Sequence, residues 1–243
     1  MGREKLGIVG ESGSGKSVSA RALLGLVPPP AEVRATRLML DNTDLRSLSH
    51  RAWADIRGSR ITMVMQDPRF SLNPVMPIGR QIAEALRAHR RVGRQEAHRR
   101  TLQMLESVEI RDPARVAAAY PHELSGGMGQ RAMIAMMLIT EPELLIADEP
   151  TSALDRSVGA AVLSVIDDLV RRRGMGLILI SHDLDLVARF CDRVLIMYRG
   201  QIVETLPATE LANARHPYTQ ALLACRPQPG QRGGMLPVIL SDT

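Results

Sequence analysis

The hydrophobic pattern of this chain alternates between two kinds of segment. Short, continuous apolar runs occur at Leu6–Val9, Leu144–Ala147, Leu177–Ile180 and Val194–Met197, and Ile61–Met65 reads as a further strand. Runs of this length without polar alternation fit parallel strands buried on both faces. Between them lie segments with apolar residues at helical spacing: Val18–Val27 (stopped by Pro28-Pro29-Pro30), 157–173 and 183–190. Residues 36–41 alternate like a further strand, and a short helix is expected near Trp53. From 77 to 140 the pattern changes, with helical spacing over Ile78–His89, Gln95–Val108 and Gly126–Ile139 and no strand-like alternation. Strands resume at once afterwards, so this stretch reads as a helical insertion. The strand–helix alternation elsewhere calls for a doubly wound α/β sheet. Gln201–Thr205 and two short helices near 208–213 and 217–224 close the core. The Gly- and Pro-rich tail from 226 to 243 is expected to be poorly ordered. No internal repeat is visible.

The first apolar run leads into Gly10-Glu11-Ser12-Gly13-Ser14-Gly15-Lys16-Ser17, followed by Val18 at the head of a helix. This is G-x-x-x-x-G-K-[ST] in a strand–loop–helix setting. The glycines let the backbone curl so that amides point at an anion, and the helix N-terminus adds partial positive charge. Lys16 supplies a full charge for β- and γ-phosphates, and the Ser17 hydroxyl is placed to ligate Mg²⁺. An ordinary Gly/Ser turn with a solvated lysine is the bland alternative, and so many fixed positions in the right setting disfavour it.

Leu144–Ala147 ends in Asp148 and Glu149. Alone, an acidic pair after a strand is more often a helix cap or a solvated loop. With the upstream glycine loop, Asp148 suits Mg²⁺ coordination and Glu149 suits a general base acting on water. Gln66 and His182 each follow an expected strand, and so arrive at the same sheet edge. There an amide can touch Mg²⁺ and water, and an imidazole can contact a γ-phosphate, although a lone histidine is more often structural. Leu124-Ser125-Gly126-Gly127-Met128 opens a helix and offers a second anion surface, or an ordinary N-cap.

Composition narrows the setting. The 243 residues are 45% hydrophobic and 23% charged, as in a soluble globular chain. No apolar run approaches the roughly twenty residues of a membrane span, and no secretory leader opens the chain, so a cytoplasmic product is expected. Cys191 and Cys225 are too few for a disulfide framework. A net charge of +5 suits ATP or an anionic membrane leaflet as well as nucleic acid. With 2% aromatic residues and scattered arginines, a nucleic-acid partner is not expected.

Taken together, Gly10–Ser17, Gln66, Leu124–Gln130, Leu144–Glu149, Ser152-Ala153-Leu154-Asp155 and His182 resemble the Walker A loop, Q-loop, signature, Walker B strand, D-loop and switch histidine of ABC transporter ATPases. Met128, Tyr120-Pro121-His122-Glu123, Asp67-Pro68-Arg69-Phe70-Ser71-Leu72-Asn73-Pro74 and His216-Pro217-Tyr218-Thr219 are similar to the oligopeptide, dipeptide and nickel import subfamily. The resemblance implies one ABC ATPase domain over 1–243. Residues 1–76 and 141–225 would form the P-loop NTPase core, and 77–140 a helical subdomain carrying the signature. It implies ATP and Mg²⁺ as ligands and head-to-tail pairing with a second ATPase subunit, identical or related. Ser125 and Gly127 would then serve the partner's nucleotide, while Lys16 and Glu149 serve their own. It also implies two membrane permease subunits, an extracytoplasmic substrate-binding protein and a peripheral place on the cytoplasmic face of the bacterial inner membrane. The substrate class would be peptides or nickel. The rivals are a soluble ABC ATPase without a transport role and a nucleotide-binding module inactivated by truncation. Relatives carry further N-terminal strands and an aromatic residue that stacks on adenine, whereas nine residues precede Gly10 here and none is aromatic. Either Met1 starts within a longer protein or the antiparallel β-subdomain is truncated, with weaker adenine discrimination and an exposed sheet edge expected. Trp53, the single tryptophan, does not match that aromatic in position. Longer relatives carry a cysteine-rich extension for an iron–sulfur cluster, and with Cys225 alone near the end no cluster is expected.

Overall fold

The computed structural model describes residues 3–68 and 71–225. The expected tail at 226–243, and Arg69 and Phe70 after the Gln66 position, lie outside the described residues. The first half runs β1 (Lys5–Val9), α1 (Lys16–Leu23), β2 (Met39–Leu40), β3 (Thr43–Asp44), α2 (His50–Ile56), β4 (Ile61–Val64), α3 (Ile78–His89), α4 (Arg94–Ser107) and α5 (Pro113–Ala118). Then follow α6 (Gly126–Leu138), β5 (Leu144–Asp148), α7 (Arg156–Arg173), β6 (Gly176–Ile180), α8 (Leu184–Phe190), β7 (Arg193–Tyr198), β8 (Gln201–Pro207) and α9 (Pro217–Ala224). Among the described residues, Arg3 with those of 17–178 forms one compact unit, and those of 4–16 with 179–225 form a second.

In the first unit β4 and β5 pair in parallel, from Ile61↔Leu144 to Val64↔Ala147. Ile61, Val64, Leu145, Ile146 and Ala147 are all buried, which is why neighbouring positions on both faces are apolar. Arg60, just before β4, donates to Glu143 just before β5, with Nε 2.5 Å from Oε1. That pair lies at the start of both strands; burial would push the Glu143 carboxyl up, but the Arg60 hydrogen bond outweighs it and holds it below its ordinary range. Among the described residues every regular element between β4 and β5 is helical. Ile78, Ile82 and Leu86, spaced four apart, form the buried stripe of α3. It packs with Leu105 of α4, Val116 of α5 and Met133, Ile134 and Leu138 of α6, all buried.

In the second unit β1 pairs in parallel with β7, Leu6↔Arg193 to Val9↔Ile196. An antiparallel β8 follows on β7, with a register shift at Ile196/Met197. Val9, Ile180, Val187, Val194 and Ile196 make its core. The Ser181 amide donates to the Ile8 carbonyl at 3.1 Å, extending the pairing beside β1.

Three expectations are corrected by local chemistry. The first helix starts at Lys16 and ends at Leu23, short of the proline run. Gly25 stops it with φ +60°, while the Leu26 amide reaches the Arg21 carbonyl (2.9 Å) and the Gly25 amide the Ala22 carbonyl (3.0 Å). This left-handed closure satisfies the last carbonyls before any proline acts. The alternating stretch 36–41 contributes only Met39–Leu40, because Asp41 turns the chain at φ +48° into β3. Helix α5 was not expected, although its signals are explicit: Asp112 accepts the Arg115 amide as N-cap, and Pro113 sits at the first turn.

A Cβ on Gly25 would stand 2.9 Å from the Trp53 ring, whereas Gly174, also left-handed at φ +61°, has open space around it. Gly25→Ala should therefore lose about 2–3 kcal/mol of stability, and Gly174→Ala about 1 kcal/mol, in chemical unfolding of each variant. Equal losses would show that the ring contact does not matter.

Candidate functional site

The glycine loop lies between the end of β1 at Val9 and the start of α1 at Lys16. Gly13 and Gly15 take φ of +83° and +100°, which other residues adopt only under strain. The Ser14 amide donates to the Glu11 carbonyl at 3.2 Å and closes the turn. Lys16 is buried at 5% exposure, and its Nζ donates to the carbonyls of Gly10 (2.9 Å) and Glu11 (2.7 Å). A buried ammonium held by backbone carbonyls is a charge placed for an anion. Ser14 is buried, while Glu11, Ser12 and Val18 are exposed.

The next residue, Ser17, belongs to the first unit. Its Oγ donates to Oδ1 of Asp148 at 3.0 Å, although 131 positions separate them. Asp148 ends β5 at 8% exposure. A hydroxyl and a carboxylate converging there form a hard oxygen donor pair, which fits Mg²⁺. Glu149 follows with φ +46°, a left-handed backbone uncommon for a non-glycine residue. Its carbonyl accepts from the amide (3.2 Å) and hydroxyl (3.1 Å) of Ser152, which fixes the turn that carries it. Gln66 stands exposed two positions beyond β4. Because Val64 is paired with Ala147, Gln66 leaves the same strand end as Asp148 and Glu149. In the second unit, His182 is exposed two positions beyond β6.

Ser125 caps α6 and accepts the Met128 amide at 3.4 Å. Ser125 and Gly126 are exposed, and Leu124, Gly127 and Met128 partly so. Leu154, in the Ser152–Asp155 turn, packs beside Gly126. Asp155 caps α7 by accepting the Val158 (2.9 Å) and Ser157 (3.1 Å) amides and the Ser157 hydroxyl (2.7 Å). The Val158 amide first, then the Ser157 hydroxyl, hold its carboxyl below the ordinary aspartate range.

Residues without a sequence signature also shape these segments. The buried Gln81 of α3 accepts the Asn73 amide at 2.8 Å and donates to the carbonyls of Asn73 (2.9 Å) and Met76 (2.7 Å). It thereby holds the loop downstream of Gln66. A lone glutamine on an amphipathic helix gives no such hint; only its place on the apolar stripe does.

With this geometry in place, comparison with known proteins decides the family. Residues 2–152 match the family described as ABC transporter. This chain belongs to the ABC transporter family and carries its ATPase domain. It is 52% identical over 222 residues to a probable peptide ABC transporter ATP-binding protein, y4tR, of Sinorhizobium fredii, covering 90% of this chain and 66% of that protein. It is 48% identical over 226 residues to the dipeptide transport ATP-binding protein DppD of Haemophilus influenzae, covering 93% and 68%. The chain thus spans about two thirds of the length of these relatives. A solved dimeric structure of the ATP-binding cassette MJ0796, in a post-hydrolysis state bound to ADP and Pi, superposes with TM-score 0.74 at 27% identity, covering 86% of this chain and 87% of that one. The α/β fold of this ABC ATPase chain is that of a P-loop NTPase core.

Ser17→Ala removes the hydroxyl but leaves the glycine loop. Its affinity for ATP with Mg²⁺ should fall about tenfold, toward the value measured with chelator, while Mg²⁺-free binding stays unchanged. Calorimetric titration in both conditions checks this.

Proposed function

We propose that this chain hydrolyses ATP to drive import of peptides through a membrane transporter. The observation that carries the reading is the Ser17–Asp148 hydrogen bond, which gathers the phosphate loop's hydroxyl and the strand-end carboxylate into one metal-binding pair. Lys16 and the loop amides of Gly10–Ser17 hold the β- and γ-phosphates. Ser17 and Asp148, with Gln66, would hold Mg²⁺, which would supply positive charge against those phosphates. Glu149 takes a proton from the attacking water, and His182 hydrogen-bonds the γ-phosphate. The products are ADP and inorganic phosphate.

Ser125–Met128, exposed or partly so, serve a nucleotide held by a second ATPase subunit, in keeping with the dimeric state of the solved cassette. ATP then stabilises the closed pair because its γ-phosphate touches both subunits, and hydrolysis removes that contact. Residues 77–140 act as the helical subdomain that passes the motion to two permease subunits. An extracytoplasmic binding protein delivers substrate to those permeases. Among the described residues no helix is long and apolar enough to cross a membrane, in keeping with a peripheral subunit on the cytoplasmic face of the bacterial inner membrane. The roles of these relatives, peptide and dipeptide transport, favour peptides over nickel.

Glu149→Gln should bind ATP within about twofold of the native chain and lose about 100-fold or more in turnover, measured as phosphate release. Native turnover in that variant would remove Glu149 as the base. Ser125→Arg should keep nucleotide affinity but abolish turnover; normal phosphate release would remove the shared-site arrangement. Peptide uptake into vesicles reconstituted with a candidate permease tests the transport role.

A further inference from the structure

The His216-Pro217-Tyr218-Thr219 stretch has no part in the site described so far. Tyr218 lies in the first turn of α9, is 5% exposed, and its phenol oxygen accepts the Glu11 backbone N–H at 2.9 Å. Glu11 is the second residue of the phosphate loop. The Tyr218 ring packs on Tyr198 with centroids 4.3 Å apart. Two residues beyond Tyr198, the Gly200 amide donates to the Ser14 carbonyl at 3.1 Å. Glu11 and Ser14 are the two ends of the turn that the loop closes upon itself. The turn is therefore gripped from outside at both ends.

The grip is itself braced. His216 Nδ1 accepts the Tyr218 amide at 3.2 Å and caps α9. The Glu204 carboxylate, on β8, accepts the amides of Arg215 (2.7 Å) and His216 (3.3 Å). Burial would push the Glu204 carboxyl up, but the hydrogen bonds it accepts outweigh it and keep it below its ordinary range. The path from β8 through α9 to the loop is thus a continuous set of hydrogen bonds within one compact unit.

We propose that Tyr218 is a positioning residue for the phosphate loop, its hydroxyl locking the Glu11–Ser14 turn in the curl that receives phosphate before a nucleotide arrives. The inference rests on the reading of Gly10–Ser17 as a nucleotide-binding loop. A phenylalanine at 218 keeps the ring and its packing on Tyr198 but leaves the Glu11 amide without its acceptor. The turn then samples unwound states, and nucleotide must bear the cost of restoring it, which appears as weaker binding rather than as a weaker fold.

The test is titration of the full chain with ADP, for the native protein, Tyr218→Phe and Tyr198→Phe. The dissociation constant should rise about fivefold in Tyr218→Phe, the usual worth of one hydrogen bond. Tyr198→Phe should bind within about twofold of native, because it loses a hydroxyl that does not hold the loop. Hydrogen exchange at the Glu11 amide should quicken about tenfold in Tyr218→Phe with exchange along β1 unchanged. In ATP turnover the KM should rise while kcat holds. Native-like ADP affinity in Tyr218→Phe would overturn the positioning role and leave the loop reading standing. A matching loss in Tyr198→Phe, or a general rise in exchange through β1, would reduce Tyr218 to a prop of the fold and overturn it as well. Failure of the native chain to bind ADP at all would sink the loop reading and this proposal with it.

Discussion

One hydroxyl-to-carboxylate hydrogen bond, from Ser17 to Asp148, sets the requirements on much of the surrounding structure. It joins residues 131 positions apart, so it exists only if β5 ends where it does. That ending is fixed by the register of β5 against β4 and by the continuous burial of Leu145, Ile146 and Ala147. A slip of one residue would turn the carboxylate to the opposite face of the strand pair. The Arg60–Glu143 pair at the other end of both strands works against such a slip, since it too would be broken. Packing of apolar side chains and placement of the Asp148 carboxylate are here one constraint.

The chemistry-bearing residues were legible because each is punctuated. Glycine and lysine mark the loop, an apolar run marks the strand before Asp148, and Ser-Gly-Gly marks the start of α6. Helices α3, α4, α6 and α7 fell close to their expected bounds for the same reason, a long amphipathic or apolar period. Where expectation failed, a short-range interaction had overridden a stronger-looking signal. Three prolines looked like the stop of the first helix, yet a single left-handed glycine acts before them. Alternation over 36–41 looked like a strand, yet with only β3 as a partner two residues suffice. Contacts such as Gln81 with the Asn73 loop or Tyr218 with Glu11 were beyond reach, because they depend on side chains meeting backbone across the fold.

The structure also separates two ways of making a helix start attractive to an anion. At α1 the loop is curled, its lysine buried and its turn held from outside. At α6 the cap is exposed, and Ser125 is occupied with its own Met128 amide at 3.4 Å. The first can hold a phosphate within one chain. The second offers an open face, suited to something brought to it.

The left-handed backbone at Glu149 has a further meaning for how variants there should be judged. A non-glycine residue at φ +46° carries strain of order 1 kcal/mol, whatever its side chain does in chemistry. Glutamine inherits the same penalty, which makes Glu149→Gln a fair comparison of charge alone. Glycine would shed it, so that, on the proposed role of Glu149 as base, a Glu149→Gly chain would withstand more heat while losing turnover. If Glu149 acts as proposed, robustness and catalysis pull apart at this position, and a screen for thermal endurance would select against turnover.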